Sequence, residues 1–145
     1  MNEIKIGASL WHPCSVDIIE HKVVGIHQYE GFTQYTAKAV RNVGACGRVE
    51  VVLDCHKGKL RFVELLDEEN IPYASGLKDF VEGDYYTNHD EARLVLYKQQ
   101  LNLSQRAVEK AEAHLKSEKA HYDKVLLIVT TIMQQLKEKE HGKED

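Results

Sequence analysis

Residues 48–65 read RVEVVLDCHKGKLRFVEL, and their alternation decides the fold of the first half of the chain. Val49, Val51 and Leu53 point one way while Arg48, Glu50 and Val52 point the other. After Cys55 to Gly58 the pattern resumes, with Leu60 and Phe62 alternating against Arg61 and Val63. Successive side chains of a strand project to opposite faces, so two such runs joined by a short glycine-containing break predict an antiparallel hairpin with one apolar face and one that carries arginines. The same period extends outward over residues 4–10, 16–29 and 32–40, divided by Glu30-Gly31 and by residues 42–47. Five strands in this order predict an antiparallel meander. Gly25, inside the longest run, marks a bulge or sharp coil that lets the strand bend. Residues 66–84 are acidic and irregular and are expected to form a long loop holding a short strand or turn.

Near Thr87 the period changes. Thr87 or Asn88 can cap a helix, with Asp90 and Glu91 at the positive end of its dipole. Over 89–139 there is no Pro and no Gly, and Leu101, Val108, Leu115, Tyr122, Val129 and Leu136 recur every seven residues. Ala111, Val125 and Ile132 fill alternate d positions of the heptad, while Ser104 and Glu118 interrupt them. Residues 125–133 are apolar around more than half the helix circumference and require more than one neighbour. A helix of about 50 residues would extend about 75 Å, longer than the diameter of a sheet domain of this size. Either it breaks at Ser104 and folds back, or it pairs with the same helix of another subunit, and both readings predict a homo-oligomer, a dimer or larger. The expected fold is therefore α+β. It comprises an antiparallel β-meander over 1–86, a helical oligomerisation region over 87–140 formed by one long helix or two with a coiled-coil-like seam, and a disordered tail over 141–145.

A length of 145 residues accommodates one core and an appended element. With 43% hydrophobic and 29% charged residues and only 2 Pro, the chain has the composition of an ordered protein. The longest apolar run, 125–129, falls far short of the roughly 18–20 residues of a membrane span, and no basic segment leads into an apolar one at the start. A cytoplasmic protein without a membrane partner is expected. The net charge of −4 disfavours duplex nucleic acid as a partner. Cys14, Cys46 and Cys55 are odd in number and form no Cys-x-x-Cys pair, which points to reduced thiols.

His12, Cys14, Cys46, Cys55 and His56 are metal-ligand types, but their spacing does not preorganise a zinc site, and no metal or cofactor is expected. No strand-turn-helix nucleophile elbow and no Cys/His signature is present, so an enzyme is not expected. Gly44-Ala45-Cys46-Gly47-Arg48 is either a turn whose glycines supply positive φ or a phosphate cradle of backbone amides and a guanidinium, supported by Arg41 and Arg61. Phe80, Tyr85, Tyr86, Asn88, His89, Asp90 and Arg93 form the densest polar-aromatic segment, with Arg106 following on the helix. An aromatic ring and an arginine stack on a purine while Asn and Asp read its edge, although Asn88 and Asp90 equally suit a helix cap.

This layout, with Asn88-His89-Asp90, Phe80 and Arg106, resembles small phage and prophage proteins that counter bacterial defence, and among them the first Thoeris anti-defence family. The resemblance covers the whole chain in outline. It implies an oligomeric, non-enzymatic sponge in the host cytoplasm that sequesters a small cyclic nucleotide signal of the cyclic ADP-ribose type, or a cyclic oligonucleotide. That family stacks adenine between an aromatic ring and an arginine beside Asn-x-Asp, which implies Phe80 or Tyr85 with Arg106, Asn88 and Asp90 around the base. Phosphates would then fall to Arg41, Arg48 or Arg61. The uninterrupted helical pattern departs from the family's two helices. The rival expectation is a protein-interaction inhibitor whose acidic residues 67–69 and long helix contact a macromolecular target such as a bacterial nuclease.

Overall fold

The structure, a computed structural model, describes residues 3–15 and 17–144. The chain is α+β: six strands in one antiparallel sheet, then a long C-terminal helix. The strands are β1 (Ser9–Pro13), β2 (Ile18–Tyr29), β3 (Phe32–Ala39), β4 (Glu50–His56), β5 (Lys59–Leu65) and β6 (Asp84–Tyr85), and their order across the sheet is their order in the chain. The hairpin expected from residues 48–65 is present, with Asp54 opposite Arg61 and His56 opposite Lys59. Its two-residue turn holds Lys57 at φ 52° and Gly58 at φ 82°, the positive pair that matches the twist of the flanking strands. Val49, Val51, Leu53 and Leu60 are buried as their alternation predicts, and Val52, expected on the arginine-bearing face, is buried too. The register of β2 against β3 shifts between Val23 and Gly25, placing the bulge where Gly25 marked it.

The boundaries at the start of the chain need correction. The first strand is not 4–10 but Ser9–Pro13, because Gly7 at φ 90° turns the chain and its N–H donates to the Val23 carbonyl at 2.8 Å. Ile4 still reaches the core from irregular backbone. The second strand begins at Ile18, and Val16, its expected first residue, lies outside the described residues. The third strand ends at Ala39 and the fourth begins at Glu50, each slightly inside the expected limits.

The segment expected to be a loop contains a helix, α1 (Ala74–Val81). Leu77 and Val81, four residues apart on one face, are both buried. Eight residues span barely two helical turns, too few to establish a period by sequence, so tertiary burial of that pair holds the helix. After α1, β6 pairs with β5 and the chain meets β1. Trp11 and Tyr86 form a bridge in which each N–H donates to the other's carbonyl, at 2.7 and 2.9 Å. The first and last strands thereby meet through this bridge, which closes the meander at that level, while among the described residues β1 covers only Ile18 to Lys22 of β2. Leu10, Val23, Val51, Leu53, Leu60 and Val81 fill its interior.

Asn88 caps the helix α2 (His89–Glu144): its Oδ1 accepts from the N–H groups of Asp90 at 2.8 Å and Glu91 at 3.3 Å. There is no break at Ser104, which lies within α2, so the two-helix alternative is set aside. Helix also occupies 141–144 of the stretch expected to be a tail, and Asp145 lies outside the described residues. By internal contacts the chain forms two compact units, Met1–Gln100 and Leu101–Asp145. In the first, Ala92 and Leu96 of α2 are buried. In the second, Leu101, Val108, Leu115, Tyr122, Val129 and Leu136 are all exposed. Thr130 and Thr131 donate their hydroxyls to the Leu126 and Leu127 carbonyls, both at 2.8 Å, so this apolar stretch satisfies its hydroxyls internally. No helix among the described residues is long and apolar enough to cross a membrane.

Candidate functional site

Closure of β6 against β1 and β5 gathers polar groups that the sequence keeps far apart. Tyr85 points inward, and its hydroxyl donates to the Val81 carbonyl at 2.8 Å. His12 lies flat on its ring and His21 meets it edge-on, with centroids 4.4 and 5.1 Å away. His12 Nδ1 bonds the Asp84 carbonyl at 2.9 Å, which requires the Nδ1–H tautomer. His21 Nδ1 lies 3.3 Å from the Ile19 carbonyl, and among the described residues its Nε2 is the buried side-chain polar atom without a partner. Burial lowers the His12 pKa, partly opposed by its bonds to backbone carbonyls, and depresses that of His21 to about 4. Both imidazoles are therefore neutral near pH 7. Burial also raises the Tyr85 phenol well above its ordinary value.

Beside this cluster, where β6 runs into α2, opens a cleft of about 640 Å³. Its lining includes Ser9 of β1, Gly58 of the β4–β5 turn, and Tyr86, Thr87, Asn88 and Glu91 of the β6–α2 junction. Glu3 contributes a second carboxylate, and among the described residues no Lys or Arg lines the cleft. Its size is that of small-molecule sites. Its chemistry is hydroxyls, one amide and two carboxylates around aromatic rings, suited to hydroxyl-rich or aromatic ligands.

Of the residues singled out from the sequence, Tyr85, Tyr86 and Asn88 line this cleft. Tyr85 is only 2% exposed and serves the core, while the Asn88 side-chain oxygen is used by the helix cap. Asp90 sits in the first turn of α2 and accepts from Arg93 at 3.2 Å. Phe80 is elsewhere. It is 45% exposed on α1, over an apolar notch of about 370 Å³ lined also by Val43, Cys46, Tyr73 and Leu77. Arg41, Arg48 and Arg61 are not brought together. Arg41 pairs with Asp17 and donates to the Ile18 carbonyl, and Arg61 pairs with Asp84 at 3.4 Å. Arg48 lines a shallow depression with Asp67 and Ile71, and Arg106 lies on α2 among Asn102, Gln105 and Glu109. Residues 44–46 form a turn of 3-10 helix, and Gly44 and Gly47 both take positive φ.

His21 shares its parity with Ile19 and Val23 in β2, so alternation alone places it inside. His12 lies beyond the expected end of the first strand at residue 10 and takes inward parity with Leu10 only once β1 is placed at Ser9–Pro13. Of the metal-ligand types, Cys55 and His56 are consecutive in β4 and project to opposite faces. Among the described residues, no three His, Cys, Asp or Glu side chains gather as a metal site. Cys14, Cys46 and Cys55 are free thiols.

No protein-family model, curated protein or solved structure matches the chain.

Proposed function

We propose that this chain is a non-enzymatic binding protein that acts as a homo-oligomer, with α2 as its assembly element, and that it captures a small cyclic nucleotide signal of the cyclic ADP-ribose type or a cyclic oligonucleotide. The observation that carries the binding role is the 640 Å³ cleft at the β6–α2 junction, within the range of nucleotide-sized sites. Tyr86 offers a ring for the base, and the Glu3 and Glu91 carboxylates accept hydrogen bonds from ribose hydroxyls. Among the described residues no Lys or Arg lines the cleft, so on this reading the phosphate contacts fall to groups outside that lining, which a homo-oligomer can supply. The resemblance of Phe80 and Asn88-His89-Asp90 to the Thoeris anti-defence pattern supports the ligand class and the setting, a bacterial cytoplasm under phage attack. The dispersal of Arg41, Arg48 and Arg61 counts against these three holding the phosphates within one subunit.

A second reading, a protein-interaction inhibitor, is favoured by Tyr73. This bulky residue is 82% exposed and held at φ 58° beside the apolar notch under Phe80. Strained conformations of that kind persist mainly where function retains them. Native mass spectrometry with added cyclic ADP-ribose isomers and cyclic oligonucleotides separates the two. A defined oligomer that gains nucleotide mass, and loses the gain on Tyr86→Ala, supports the first reading. An oligomer that takes up none of them sinks it and leaves the protein-interaction reading.

A further inference from the structure

Three aromatic rings stand in file on the outer surface of the sheet. Tyr29, at the end of β2, stacks on Phe32 of β3 with centroids 5.0 Å apart and planes 14° from parallel, and Phe32 stacks on His56 of β4 at 4.9 Å and 19°. The register carries the row onto β5, where Lys59 is the partner of His56. Two residues further along each strand, a second row on the same face runs His27, Gln34, Asp54, Arg61. Gln34 Nε2 donates to Asp54 Oδ1 at 3.1 Å within it, and Arg61 pairs with Asp84 at its end. The residues between the two rows in sequence include the buried Leu60, so both rows belong to the outside.

Cross-strand aromatic contacts stabilise hairpin ends, and this stack does so. Its form does more. The ring planes are nearly parallel, so Phe32 has a ring on each side while Tyr29 and His56 end the row, both exposed, with the Asp54 carboxylate 4.0 Å from His56 Nε2. Because β1 pairs with Ile18 to Lys22 of β2, among the described residues no strand flanks the Tyr29 end, and Tyr29 is 52% exposed. Lys57 of the β4–β5 turn and Lys59 at the start of β5 belong to the other end of the row. A short file of parallel rings with open ends and adjacent cations matches an unpaired base and its phosphate. A sugar platform would instead present ring faces lying along the surface.

We propose that this outer face binds single-stranded nucleic acid, a base extending the stack on Tyr29 or on His56 and a phosphate meeting Lys57 and Lys59. The polar row behind the rings, Gln34 and Asp54 above all, supplies donors and acceptors for the base edge. A net charge of −4 supplies no general attraction to polyanions, so stacking leads and the footprint is short. The inference goes beyond the capture of a cyclic nucleotide and uses none of the side chains of its cleft.

Fluorescence anisotropy of the full chain with a labelled thymidine oligomer of about eight nucleotides tests it at low ionic strength, alongside an abasic oligomer and a duplex of equal length. The expected result is saturable binding of the thymidine oligomer, with the abasic strand at least about tenfold weaker because it cannot stack. Tyr29→Leu and, separately, Lys59→Glu should each weaken binding by about fivefold or more while the thermal melt is retained. Should Tyr29→Leu disturb the hairpin, His56→Ala at the opposite end gives the same readout. Equal affinity for abasic and thymidine strands, preference for the duplex, or binding unchanged in the folded variants overturns the proposal. So does absence of binding at low salt, or capture of a neutral oligosaccharide in place of the oligonucleotide.

Discussion

His12 rests against Tyr85 with ring centroids 4.4 Å apart and planes 16° from parallel, so the first strand of the sheet grips the last through an imidazole and a phenol. Both side chains also hold the short connection between α1 and β6. Tyr85 bonds the Val81 carbonyl, and His12 bonds the Asp84 carbonyl. The closure of the sheet and the position of the α2 cap thus depend on one buried polar cluster.

Removing the hydroxyl alone tests that grip. Tyr85→Phe leaves the Val81 carbonyl without its donor and should lower stability by about 1–2 kcal/mol, read as a reduced urea midpoint at unchanged slope. An unchanged midpoint would show that the bond adds nothing to the folded state.

Acid should act on the histidines. His21 has a folded pKa of about 4, below its ordinary 6.5, and that of His12 is lowered as well. A base whose folded pKa is depressed binds protons more readily when unfolded, so its contribution is intact above about pH 6.5 and falls steadily as pH drops toward the folded value. For His21 the loss amounts to about 3 kcal/mol across that window. Urea titrations at stepped pH should show it, and His21→Leu should flatten the slope; a slope that survives both His21→Leu and His12→Leu assigns the acid response elsewhere.

Gly83 sits at φ 118°, and a Cβ there would lie 3.4 Å from His12 Cε1. Gly83→Ala should therefore cost about 1–3 kcal/mol from backbone strain, besides pressing on the imidazole. A thermal melt equal to wild type would mean that the chain takes another path between α1 and β6.

At the head of α2, Asn88→Ala removes the acceptor for the Asp90 and Glu91 N–H groups and should cost about 1 kcal/mol, while Asn88→Asp restores the cap. Because Asn88 also lines the cleft, ligand uptake by Asn88→Asp separates capping from binding. Retained capping with lost uptake assigns the amide a contact of its own.

The exposed apolar stripe of α2 predicts self-association. Val129→Glu combined with Ile132→Glu should convert the assembly to single chains in sedimentation velocity, with the near-ultraviolet circular dichroism of the sheet domain retained. A wild-type chain that sediments as a monomer at micromolar concentration removes the homo-oligomer from the proposed function.

Local periodicity carried a large part of the architecture. The hairpin of β4 and β5, the bulge beside Gly25 and the start of α2 near Thr87 follow from alternation, glycine and capping chemistry among residues close in sequence. The length of α2 follows in the same way from an unbroken helical pattern, which outweighs Ser104 because a single serine removes no backbone hydrogen bond. The short helix α1 did not show itself, since Leu77 and Val81 have no repeat beyond each other, and neither did the turn at Gly7 that shifts the first strand. Tertiary structure alone decided which functional groups meet. Arg48 and Arg61 share the arginine-bearing side of the pattern, yet Arg61 is drawn to Asp84 on β6, and Arg41 beyond β3 is drawn to Asp17 before β2, pairings that sequence spacing does not specify. Tyr29, Phe32 and His56 come from three strands, and only the register of β2, β3 and β4 places them in one stack. The division has a physical cause: strand and helix periods are written by neighbours along the chain, whereas a site is assembled from residues whose separation is set by closure of the sheet.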